Sequence, residues 1–233
     1  MRLDKFLTVT GTATRSEAAK AVRIGRVLVD GVPAKSPSHA VDPEKNGVEY
    51  FGELVEYRRF TYIMLNKPEG YVSATEDGRD KTVLELLPEK LRKFNLFPCG
   101  RLDKYTVGLM LLTDNGPLGH KLLAPKSHVS KTYYFESEKP VSTENVGALE
   151  HGVHIAGGYL TKPAKVALIS PNKGRITIAE GKYHQIKQMF EAVDNKITLL
   201  ERVTFGPLVL DEALARGEWR FLTQDEIDML EKL

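Results

Sequence analysis

Gly100-Arg101-Leu102-Asp103-Lys104-Tyr105-Thr106-Val107-Gly108-Leu109-Met110-Leu111-Leu112-Thr113 is the stretch on which the fold of this chain turns. Leu96-Phe97 leads into it, and residues 108–113 have the unbroken apolar character of a buried strand, closed by the turn signal Asp114-Asn115-Gly116. Asp103 therefore falls at a strand-to-loop transition. Its neighbours Arg101 and Lys104 favour the ionised carboxylate. Taken alone, an Asp in such a place is a turn or cap residue. Its surroundings must decide.

Outward from this stretch the chain is rich in strands. Residues 62–65 are a buried-strand run stopped by Asn66-Lys67-Pro68-Glu69-Gly70, and residues 131–136 alternate with aromatics. Residues 165–169 and 175–178 pair across Pro171-Asn172-Lys173-Gly174, and residues 197–200, 208–210 and 219–221 are further strands. Helices are expected over residues 82–87 and 143–150, and over 184–193, where Ile186, Met189, Phe190 and Val193 share one face. Thr223 caps a closing helix that runs through residue 230. Strands outnumber helices and follow one another in antiparallel fashion, so the body is α+β with a mixed, largely antiparallel sheet.

The first 52 residues have their own punctuation. Leu3, Phe6 and Leu7 space a short amphipathic helix, and Ser16 is the expected N-cap of a second helix reaching Ile24, with Ala18, Ala19 and Val22 as its apolar side. Gly25 ends that helix, and Val27-Leu28-Val29 enters a tight turn at Asp30-Gly31. Val48-Glu49-Tyr50 is a further short strand. Three parts are expected: residues 1–52 as a small module, 53–59 as a polar linker, and 60–233 as the body. Within the module Arg15, Lys20, Arg23 and Arg26 fall within twelve residues, opposed only by Glu17. A solvated helix face explains such a cluster on charge alone, whereas a phosphate-binding face explains it by counterion release.

Composition narrows the classes. The 233 residues are 42% hydrophobic and 27% charged, as in a globular chain with a sizeable core. A single cysteine, Cys99, excludes an intrachain disulfide and a multi-thiolate metal site. Cys99 is expected to be a small apolar residue beside the strand at 108–113. The charged start Met1-Arg2-Leu3-Asp4-Lys5 argues against a secretory signal, and the apolar run 107–112 is too short to span a bilayer. A cytoplasmic protein without membrane attachment is expected. Net charge is +2, from 33 Lys+Arg against 31 Asp+Glu, so any electrostatic footprint must be local. No GxxxxGK[ST] phosphate loop is present.

The ordered strings are more specific than any residue among them. Arg2-Leu3-Asp4-Lys5-Phe6-Leu7, then Thr14-Arg15-Ser16-Glu17-Ala18, then Ile24-Gly25-Arg26-Val27-Leu28-Val29-Asp30-Gly31 resembles the S4-type RNA-binding module. Gly-Arg-Leu-Asp-x-x-Thr-x-Gly-Leu around Asp103 resembles the catalytic loop of pseudouridine synthases of the ribosomal small-subunit type. Met64-Leu65-Asn66-Lys67-Pro68-x-Gly70-Tyr71, Lys131-Thr132-Tyr133 and the run from Glu180 to Phe190 also resemble that family, and in its order.

The resemblance implies an isomerase that cuts the C1′–N1 bond of a uridine, turns the uracil and rejoins it through C5, with no metal and no other cofactor. It assigns Asp103 as the nucleophilic or charge-stabilising carboxylate. Lys187 becomes its basic partner, and Tyr133 a stacking ring whose hydroxyl assists removal of the C5 proton. Arg101 holds the flipped nucleotide, and Ile186 is an apolar wall. His184 and Gln185 are assigned to architecture near the site. Gln188 departs from the second basic residue of many relatives. Arg15, Lys20, Arg23 and Arg26 match the RNA-facing surface of the S4-type module. The partner implied is ribosomal RNA, 16S in the first place, free or within an assembly intermediate, met by a monomer. Two other readings remain open here: the same reaction on large-subunit 23S RNA, and a non-catalytic ribosome-assembly factor.

Overall fold

The computed structural model describes residues 1–233, the side chain of Pro125 left aside. Two compact units emerge: residues 1–60 with 88–94, and residues 61–87 with 95–233. The first therefore includes a short stretch, with the helix Glu89–Arg92, that interrupts the second in sequence.

In the smaller unit the helices Leu3–Val9 and Arg15–Arg23 and a four-stranded antiparallel sheet share one core, which includes Leu3, Phe6, Leu7, Ala18, Val22, Val27 and Val48. The N-cap of the second helix is Thr14, two residues ahead of the expected Ser16. Thr14 Oγ1 accepts from Glu17 N at 3.3 Å, while the Glu17 carboxylate accepts from Thr14 N at 2.8 Å. This reciprocal box satisfies two donors, which a cap at Ser16 would not. Ala21 rather than Ala19 joins the buried face. Gly25, with φ +69°, closes the helix: its N–H donates to Val22 O, and Arg26 N–H donates to Ala21 O. Glu53–Leu54, inside the stretch expected as linker, forms the outer strand of the sheet by pairing with Val48–Tyr50.

The larger unit is built on a mixed sheet with nine strands among the described residues. Its main path runs Lys165–Ser170, Lys173–Ile178, Lys131–Ser137, Ile197–Phe205, Val107–Thr113, Tyr62–Lys67, Trp219–Phe221. Ile197–Phe205 and Val107–Thr113 are parallel, and the other neighbours on this path are antiparallel. The α+β expectation with a largely antiparallel sheet agrees with this. Phe97–Cys99 adds to the edge of Val107–Thr113, with the Cys99 thiol buried and its pKa pushed up to about 11 by burial.

Several boundaries differ from expectation, each for a tertiary reason. The first strand of the body continues through Asn66 and Lys67, polar residues read as its stop. Asn66 is satisfied by Leu214 O and the Arg216 guanidinium, and Lys67 by four carbonyls. Ile197–Phe205 is nine residues long, five more than expected, because Arg202 and Thr204 are accommodated in the sheet. A helix, Gly116–Leu123, follows the turn after Thr113. Its Gly-Pro start resembles a loop, but Pro fits the first helical turn and Asn115 Oδ1 caps Leu118 N at 3.1 Å.

Gly108 allows the close approach of Val107–Thr113 to Ile197–Phe205. It has φ +99° opposite Arg202, and an added Cβ would run into the Arg202 backbone. Any side chain there would push Val107–Thr113 and Ile197–Phe205 apart.

Candidate active site

Asp103 lies in the loop between the strands Phe97–Cys99 and Val107–Thr113. That loop is held from beneath. The Lys67 ammonium, fully buried, donates to the carbonyls of Thr106 at 2.8 Å, Pro68 and Asp103 at 3.1 Å and Lys104 at 3.2 Å. Burial pushes the Lys67 pKa down to about 8, against the pull of the Asp103 carboxylate. Ser73 adds a second clamp: its Oγ donates to Leu102 O at 2.8 Å and accepts from Leu102 N at 2.9 Å. Gly70 N–H donates to Lys104 O, and Thr106 N–H to Asp103 O. The backbone on both sides of Asp103 is thus bonded before any substrate arrives.

Two cation-capable groups face the carboxylate. Lys187 Nζ lies 3.3 Å from Asp103 Oδ2, and His184 Nε2 lies 3.5 Å from Oδ1. Both come from the string Glu180 to Lys187, whose loop is tied to itself. Glu180 accepts from the Gln185 amide at 2.7 Å, from Lys162 N–H at 2.9 Å and from the Tyr159 hydroxyl at 2.7 Å. Gln185 in turn accepts from Lys182 N–H at 2.9 Å. The helix is Gln185–Glu191, so His184 precedes it, with φ +49°, and Val193 follows it. Gln188 spans Tyr183 O and Ala156 N with its own amide.

The site is a cavity of about 600 Å³, in the size range of small-molecule sites. Arg101, Asp103, Tyr133, Ile186 and Lys187 all line it. Tyr133 and Ile186 are buried walls, 7% and 4% exposed, whereas Arg101 is exposed. Arg202, the cross-strand neighbour of Tyr133, is buried in the wall with Nε donating to Leu109 O at 2.7 Å. Lys131, also in the wall, donates to Val129 O, and burial lowers its pKa. A fixed carboxylate beside basic groups and a ring, in a cleft with apolar walls, suits nucleophilic or acid–base chemistry on a planar ligand. Among the described residues no group of three or more His, Cys, Asp or Glu is placed to hold a metal ion. Nor is any helix among them long and apolar enough to cross a membrane.

Arg15, Lys20, Arg23 and Arg26 belong to the other unit, all exposed on the helix Arg15–Arg23 and the turn after it.

Sequence reasoning assigned His184 to architecture and did not single out Lys67, Ser73 or Arg202. His184 is adjacent to the carboxylate itself. A lysine closing an apolar strand ahead of a proline was the available signal for Lys67. Arg202, in the middle of a strand, offered none.

Comparison with known proteins identifies the family. A family model described as RNA pseudouridylate synthase matches residues 61–192, and an S4 domain model matches residues 1–45. An uncharacterised RNA pseudouridine synthase, YtzG, of Bacillus subtilis (strain 168) is 48% identical over 99% of this chain and 98% of its own. The ribosomal small subunit pseudouridine synthase A of Escherichia coli (strain K12) is 41% identical over 97% of this chain and 98% of its own. A crystal structure of a pseudouridylate synthase, 39% identical, superposes with a TM-score of 0.71 over 99% of both chains.

Proposed function

This chain belongs to the RNA pseudouridylate synthase family, and we propose that it converts one uridine of 16S ribosomal RNA to pseudouridine with Asp103 as the essential carboxylate and no cofactor. The observation that carries the assignment of the site is the Asp103 carboxylate, set on a clamped loop in a 600 Å³ cavity with Lys187 at 3.3 Å. The small-subunit target draws its support from relatives such as the Escherichia coli enzyme, similar over nearly their whole length.

The target base must leave its stack, at a cost of about a few kcal/mol offset by contacts to the RNA backbone. Arg15, Lys20, Arg23 and Arg26, within an RNA-binding module of residues 1–52, make such contacts, and Arg101 at the cavity holds the flipped nucleotide. Inside the catalytic domain of residues 60–233, Tyr133 stacks on the uracil and Ile186 limits its travel. Asp103 acts beside the ribose as the C1′–N1 bond breaks, with the Lys187 ammonium 3.3 Å from its carboxylate as the basic partner. The uracil turns, C1′ bonds to C5, the C5 proton leaves with help from the Tyr133 hydroxyl, and N1 takes up a proton in its place. Nothing is oxidised or reduced, and the product is an isomer of the substrate. The enzyme works as a monomer in the cytoplasm, on free RNA or on an assembly intermediate.

Pseudouridine mapping on 16S and 23S ribosomal RNA tests this, with 16S offered free and bound to ribosomal proteins, using wild-type protein and Asp103→Asn. One new 16S site, absent with the variant, is the expected outcome. A site in 23S alone moves the target. Tight binding without any site makes the chain an assembly factor.

A further inference from the structure

Tyr183 is the most exposed of the large apolar and aromatic side chains, 75% open, although it lines the catalytic cavity. Its ring lies on that of His184 with centroids 3.8 Å apart and planes 17° from parallel. His184 in turn reaches the Asp103 carboxylate at 3.5 Å. The stack is held in place by its backbone: Tyr183 O accepts from the Gln188 amide at 2.6 Å, and Lys182 N–H donates to Gln185. A large ring left in solvent gives up the burial that stabilises other aromatics. Its stack on His184 leaves most of the side chain open. Exposed cations share the cavity lining with it, Arg101, Lys162 and Lys182, which suits a polyanion rather than an apolar partner.

We propose that the Tyr183 ring, backed by His184, is a platform on which an unpaired base beside the target nucleotide stacks. The inference rests on the RNA-modifying function above and extends it from the reacting nucleotide to its neighbour. When a nucleotide is flipped into the cavity, an adjacent base loses a stacking partner. An aromatic face at the cavity wall replaces that partner, and because every base has a π-face this contact selects for an unpaired neighbour rather than for a particular base. Tyr183 is thus a binding residue, separate from the groups at Asp103 that do chemistry.

The test compares wild type, Tyr183→Ala, Tyr183→Phe and Tyr183→Leu by tritium release from [5-3H]uridine-labelled 16S and 23S ribosomal RNA. Tyr183→Ala should raise KM about tenfold with kcat within about twofold of wild type, the size of effect typical of losing one base–aromatic stack. Tyr183→Leu should behave like Tyr183→Ala, and Tyr183→Phe should restore wild-type KM. An unchanged KM in Tyr183→Ala overturns the proposal. So does a loss in kcat alone, which would make Tyr183 a support for His184. If wild type releases no tritium from either RNA, the catalytic reading fails on its own, and stacking is decided by a short single-stranded RNA carrying 2-aminopurine. Quenching by wild type that Tyr183→Ala loses then upholds the platform; equal quenching by both, or none, rejects it.

Discussion

In the catalytic body Lys67 is wholly buried and its ammonium touches four backbone carbonyls, whereas in the leading module Arg15, Lys20, Arg23 and Arg26 stand in solvent. Both regions hold cations, with opposite physical consequences. A buried ammonium is tolerable only where acceptors are already in place, so it fixes the chain around it. An exposed guanidinium or ammonium costs little, constrains little, and acts by summing with its neighbours over a ligand's charge. The first kind of cation fixes position; the second is free to meet a ligand's charge.

The comparison can be broken at four points. Asp103→Asn should reduce turnover by on the order of 10⁴-fold or more, in line with the loss of one member of a catalytic unit, with the melting temperature nearly unchanged; retained turnover would remove Asp103 from the chemistry. Lys67→Met should cost about 3 kcal/mol in urea unfolding, since it leaves buried carbonyls without a donor, and should lower kcat more than it raises KM. A Lys67→Met protein as stable and active as wild type would mean that the loop holds itself. The sign of the pH dependence is a further check. Lys67 has its pKa lowered in the fold to about 8 from an ordinary 10.5, so the unfolded chain binds the proton more tightly between these values. Stability should therefore rise through that window in wild type, by on the order of 3 kcal/mol relative to Lys67→Met.

Replacing Arg15, Lys20, Arg23 and Arg26 together by Ala should leave kcat alone and raise KM. The slope of log affinity against log salt should become shallower by about 3, as expected for four lost phosphate contacts. An unchanged salt slope would restore the solvated-face reading of that helix. The smallest effect belongs to Thr14→Ala, which opens the capping box of the same helix and should cost about 1 kcal/mol of stability, read from the denaturation midpoint.

Local patterns served well where one element contains its own signal. The Gly25 helix stop, the Asp30-Gly31 turn, the apolar strand ending at Thr113 and the Thr223 cap all appear where the residues indicate. They failed where a distant partner supplied what the local chain lacks. Asn66 and Lys67 extend a strand because Leu214, Arg216 and the Asp103 loop satisfy them. Gly116-Pro117 starts a helix because Asn115 caps it while donating to the Tyr62 hydroxyl.

The same division holds for the site. Motif order by itself determined the family and nominated Asp103, Tyr133, Lys187, Arg101 and Ile186, because chemistry constrains residue type and those types recur at fixed spacing along the chain. Only the tertiary structure decided that His184 faces the carboxylate, that Lys67 clamps the loop and that Arg202 is buried in the cavity wall. These roles depend on desolvation and on hydrogen bonds between residues 36 to 93 positions apart or brought together by neighbouring elements, and a linear pattern carries no record of either.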